Sequence, residues 1–294
     1  IGGVLEPMQA GMEMQASNED WRNAAGAASN LSQLQLTLGD VTAAAMSGQQ
    51  SVDYVDQSED LFLRMGVRSI HAGALHQAGE TTWALELFVE AEQIQQERQP
   101  KTPRLYSLPG FQYCDLLLAQ NEMAVVLERY QQWVERRQSG DPLLDRSLED
   151  LMAGRAHCQQ GNFSQATDWL DQAIAGLREA GQQDELPRGL VARAALNRDT
   201  RNPNHDFTRA RQDLQEVHDI AELSGMRLHL TDYHLEMARL LIAEQENPSQ
   251  TPVEKSESEL SLQDHITQAA KLIVKTGYKR RLPELEALQS KVAM

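Results

Sequence analysis

Apolar and small residues recur along the chain three and four positions apart, not in alternation, which predicts amphipathic helices throughout. The pattern is clearest at 148–173, LEDLMAGRAHCQQGNFSQATDWLDQA. Here it predicts two helices joined by a tight turn at Gly161-Asn162. The first puts Ala153 and Gly154 where a neighbour must come close; the second carries Ala166, Leu170 and Ala173 on one stripe. The same arrangement returns along the chain. Turn positions fall at Gly39, Gly79, Asn121, Gly161 and His205, and five residues after each comes a small or β-branched residue, Ala44, Ala84, Val126, Ala166 and Ala210. Four further on lie Gly48, Phe88, Tyr130, Leu170 and Leu214. The steps are 40, 42, 40 and 44 residues. A repeat of this kind predicts stacked helix–turn–helix units, each covering its neighbour's apolar face.

In chain order, residues 1–17 read as a partial repeat, because Val4 and Met8 sit at the offsets of a second helix. With no initiator methionine, that predicts a fragment of a longer protein. Helix pairs are then expected over 18–57, 58–99, 103–140, 142–181, 185–224 and 226–277. In the first pair Asn18-Glu19-Asp20 caps a helix from Trp21. In the second, Leu61, Met65, Ile70 and Leu75 are expected to face inward. Pro109 in the third either opens its helix or kinks it. The fifth pair contains an irregular turn from Asp199 to Asp206. The sixth is interrupted by 246–260, rich in proline and charge and without an apolar anchor, which predicts a flexible insertion. Leu262, Ile266 and Ala269 restore the stripe, Gly277 ends that helix, and 282–294 reads as a capping helix.

The spacing A-x3-L-x2-A after G-x-F resembles the tetratricopeptide repeat, with longer helices accounting for a period above the usual ~34 residues. The stretches NEDWRNAA at 18–25, NLSQL at 30–34 followed by LGD at 38–40, ALHQAG at 74–79, LYSLPGFQYCDLL at 105–117 and MRLHL at 226–230 resemble a more particular group. It is the carboxyl-terminal tetratricopeptide region of bacterial STAND-type signalling ATPases. That resemblance implies an all-α, right-handed α-solenoid whose concave face binds a protein or peptide. It also implies that the array is a sensor arm holding an ATPase domain off until engaged. The chain has no phosphate-binding G-x-x-x-x-G-K-[ST] sequence, so such an ATPase would lie outside it. The competing expectation is a free-standing adaptor. The irregular fifth turn and the insertion depart from the family pattern near the end of the groove.

Composition narrows the partner. The chain of 294 residues is 41% hydrophobic and only 5% aromatic, in keeping with an all-α fold. Its net charge of −16 repels phosphate backbones and argues against nucleic acid. Two cysteines, Cys114 and Cys158, fit small packed thiols in a reducing cytoplasm. No apolar run approaches the ~18 residues of a membrane span. No cofactor is expected, and no catalytic constellation emerges. His157 and Cys158 are adjacent and point about 100° apart on a helix. His229 and His234 are five apart, off the spacing a metal wants. The acids Asp53, Asp56, Glu59 and Asp60 fit no calcium loop. The expectation is therefore a non-enzymatic module. Its candidate binding residues are Arg155, Arg188, Arg193 and Asn197 on successive first helices, with His229 and Tyr233 on the next. Arginines gathered on one face would take a carboxylate or an acidic peptide; the competing expectation is that they pair with Asp150, Glu185 or Asp232. Tyr106, Phe111 and Tyr113 form a second candidate surface, in competition with core packing.

Overall fold

The computed structural model describes residues 2–58, 60–138, 140–248 and 260–292. These fold into fourteen α-helices with no strand among the described residues. The chain divides into two compact units, the first made of residues 1–120 with 276–280 and the second of 121–275 with 281–294. No helix among the described residues is long and apolar enough to cross a membrane.

The first unit contains α1 (Leu5–Ser17), α2 (Trp21–Thr37), α3 (Val41–Val55), α4 (Leu61–Ala78), α5 (Thr81–Arg98) and α6 (Ser107–Ala119). An aspartate starts three of them. Asp20, Asp40 and Asp60 each accept the amide of the residue three positions on, from Asn23, Ala43 and Leu63. That satisfies a donor the helix itself leaves open. Gly79 closes α4 with φ +85°, a conformation that costs a side-chain-bearing residue about 1 kcal/mol. α2 packs on α3 and α4 on α5, while α2 also touches α4 and α4 touches α6. The 1–17 segment supplies one helix, α1, packed on α2 through Met12, Ala28 and Leu31.

One expectation in this unit is corrected. Met65 and Leu75 are buried, but Ile70 is only half-buried and Leu61 is 47% exposed. Leu61 is the residue directly after the Asp60 cap, at the helix end, where the stripe has outrun its neighbour. Pro109 opens α6 without kinking it. It is the third residue of that helix, where an amide would have no intrahelical acceptor. Of the aromatic candidates, Phe111 and Tyr113 are core, Tyr113 stacking on Phe88 at 4.9 Å, and Tyr106 is 37% exposed.

The second unit contains α7 (Met123–Val134), α8 (Leu143–Gln159), α9 (Phe163–Glu179), α10 (Leu186–Arg198), α11 (Phe207–Ser224), α12 (Arg227–Glu246), α13 (Leu262–Thr276, less its last residue) and α14 (Leu282–Val292). The expected stripe Ala166, Leu170, Ala173 is fully buried. It meets α8 at Gly154, where an added Cβ would lie 2.8 Å from the Leu170 side chain. The pattern of the first unit returns: α8 packs on α9 and α10 on α11, with α8 touching α10 and α10 touching α12. The irregular turn after α10 is organised by Asn202, whose side-chain amide donates to the Leu196 carbonyl while its oxygen accepts from the Asn204 amide. Leu235, Ala238 and Ile242 of α12 pack with Ile266, Ala269 and Ile273 of α13 and Leu285 and Leu288 of α14. α12 continues through Glu246, and of the expected insertion residues 249–259 lie outside the described residues.

Candidate partner-binding face of the second unit

The six candidate residues lie on α8, α10 and α12, first helices of successive pairs that touch in turn. Their side chains fall into separate settings. Arg155 is half-buried midway along α8, with Nη1 3.9 Å from the Met152 sulfur one turn back. Arg188, in the first turn of α10, pairs with Glu185 at 2.8 Å. His229, in the first turn of α12, contacts the Asp184 carbonyl through Nε2 at 3.0 Å. Burial, then the Arg188 charge, lowers its pKa to about 4, so it is a neutral ring at pH 7. Arg188, His229 and Asp184 thus meet at the start of α10 and α12.

Arg193 points elsewhere, toward the second helices. Its Nε and Nη2 hold both oxygens of Asp213 on α11 at 2.9 and 2.7 Å, and Nη1 holds Asp171 on α9 at 2.8 Å. Burial alone would ease its proton off; the bonds to Asp213 and Asp171 outweigh that and hold its pKa above the ordinary value. Asp171 also receives Arg209 at 2.6 Å. The Asn197 carbonyl accepts the Asp206 amide at 2.8 Å, and its side-chain nitrogen has no acceptor among the described residues. Asn197 therefore closes the irregular turn. Tyr233 is buried between rings, with His218 and His234 at 4.9 Å and His265 at 5.6 Å between centroids.

Acids take up other arginines nearby. Glu236 on α12 binds Arg198 at 2.5 Å and Arg239 at 3.0 Å, and Glu244 receives Arg211 at 2.6 Å. The face is a mesh of charge-assisted bonds between helices.

Sequence spacing missed one pair. His234 and His265 meet Nδ1 to Nδ1 at 2.9 Å, both buried. Desolvation leads the lowering of their pKa values, to about 3 and about 4. Thirty-one residues separate them, so no local pattern reports the contact. No group of three or more histidine, cysteine, aspartate or glutamate side chains gathers to hold a metal among the described residues. Burial pushes the Cys158 thiol up to about 11, which leaves almost no thiolate at pH 7. No protein-family model matches the chain, and no curated protein matches it.

Proposed function

We propose that the chain is a non-catalytic protein-recognition array. In this reading its helix pairs stack as a right-handed tetratricopeptide-like solenoid with a period of about forty residues. It binds a protein or peptide partner along its first helices, as the cytoplasmic sensor arm of a larger bacterial signalling ATPase. The observation that supports it is the contact ladder in each unit, α2 to α4 to α6 and α8 to α10 to α12, with α3 packed on α2, α5 on α4, α9 on α8 and α11 on α10. Such a ladder presents successive helices side by side as one extended surface. Arg155, Arg188 and His229 are the residues that face carries into binding; Arg193, Asn197 and Tyr233 shape it.

The test is affinity capture with the chain, comparing wild type with Arg155→Ala/Arg188→Ala. A partner held by wild type and lost by the variant, at an unchanged melting temperature, supports the reading. Capture that ignores both substitutions removes this face from it. The adaptor reading differs in the gene: coding sequence upstream for a phosphate-binding loop favours the ATPase arm, and its absence the adaptor.

A further inference from the structure

The first unit includes a short piece of chain from far along the sequence, Thr276 to Arg280. It is laid across three elements. Gly277, at φ +75°, lies so close to the start of α3 that an added Cβ would be 2.8 Å from the Thr42 hydroxyl. Lys279 and the Arg280 amide run over Gly79 at the end of α4, where an added Cβ would meet them at 3.3 and 3.5 Å. Tyr278 is 3% exposed, and its amide donates to the Thr276 hydroxyl. Arg280 then reaches Asp115 in α6, donating to its two oxygens at 2.5 and 3.4 Å. The Asp115 side chain is 4% exposed, and His76 stands 3.7 Å from it. The Arg280 guanidinium lies 5.9 Å from the Tyr278 ring centre.

This is the way a helical array seats a short peptide: a close backbone pass at a glycine, one buried aromatic, one guanidinium on a carboxylate. We infer that the seat formed by Thr42, Gly79, His76 and Asp115 is a recognition site for an arginine-bearing peptide segment of a partner, which Tyr278-Lys279-Arg280 fills in cis and the partner displaces. It rests on the partner-recognition reading above and gives that partner a chemistry. An apolar or acidic segment would strip Asp115 of a guanidinium and return nothing, and leaving a buried carboxylate without its partner is what such a site penalises most. A lysine supplies the charge but not the fork. The net charge of −16 draws basic segments toward the chain.

The experiment uses the full chain and a fluorescein-labelled pentapeptide, Thr-Gly-Tyr-Lys-Arg, read by anisotropy. Arg280→Gln is expected to bind the peptide at least about tenfold more tightly than wild type, because the seat has lost its cis guanidinium. Adding Asp115→Asn, or ending the peptide in Gln, is expected to abolish that gain. Equal binding by wild type and Arg280→Gln, or equal binding of the Gln peptide, overturns the inference. Should Arg280→Gln unfold, wild type is followed by amide hydrogen exchange. Faster exchange at 277–280 under saturating peptide supports displacement, and unchanged exchange refutes it. A partner captured through Arg155 and Arg188 while the pentapeptide fails would sink only this site. A pentapeptide that binds while both those substitutions are silent would sink only the second-unit face.

Discussion

Arg193 shows how a side chain suited to binding becomes a strut. Its three bonds to Asp171 and Asp213 tie α10 to both second helices around it, and Asp213 is nearly as buried as any aspartate in the chain. Arg193→Ala is expected to cost about 3 kcal/mol, because it strands a buried carboxylate. Thermal unfolding would show a fall of several degrees, and Asp213→Ala in the same chain should recover part of it. Gly154 carries the opposite lesson about helix propensity. Alanine normally stabilises a helix interior over glycine by up to about 1 kcal/mol. Here the added methyl would sit 2.8 Å from Leu170, so Gly154→Ala is expected to lower the denaturation midpoint by the equivalent of about 1–3 kcal/mol. A gain in stability would mean that α8 and α9 are less closely packed than described. The small residue at Gly154 was legible as a close approach; the acids waiting for Arg193 were not, because the residues that bind it lie 20 and 22 positions away on different helices.

At the scale of elements, helix limits were readable wherever a cap and a stripe coincided. Asp20, Asp40 and Asp60 mark three helix starts at twenty-residue steps, and each aspartate-to-alanine change is expected to cost about 1 kcal/mol of unfolding free energy by urea titration. The docking of α13 on α12 was readable only in its apolar part. Its polar part is the His234–His265 contact, with His218 and Tyr233 alongside and Arg211 and Asp264 acting on His265. Both histidines titrate near 6.5 when unfolded and at about 3 and about 4 when folded. The folded state therefore binds fewer protons between those values, and stability must fall as pH drops from about 6.5 toward 4. His229, lowered to about 4, adds to the same slope. Unfolding at pH 7 and pH 4.5 should show this loss, and His234→Gln/His265→Gln should flatten the slope. A slope identical in that variant would place the acid sensitivity elsewhere.

For the whole molecule, the sequence expectation is a run of helix pairs; the described residues are helical without strands, α2 packs on α3, α4 on α5, α8 on α9 and α10 on α11, and α6 and α7 of the expected 103–140 pair fall in different units. Helix periodicity and caps are local, set by residues within a turn or two of one another, so a single sequence carries them. What it could not carry is which charges meet. With 43 acidic and 27 basic residues, almost every arginine has several carboxylates within plausible reach of a neighbouring helix. Only packing selects Asp213 for Arg193, His265 for His234 and Asp115 for Arg280, across separations of 20, 31 and 165 residues. The same acidity has a consequence for association: binding of the basic pentapeptide should slow as salt rises from about 0.05 to about 0.5 M, measurable by stopped-flow. The residues alone determined that the described chain is helical and where its capped helices begin, because a helix satisfies its own backbone and its cap lies within a turn of it. The tertiary structure decided which carboxylate each arginine meets and which histidines are stripped of water, because desolvation and pairing are properties of neighbours brought together by the fold.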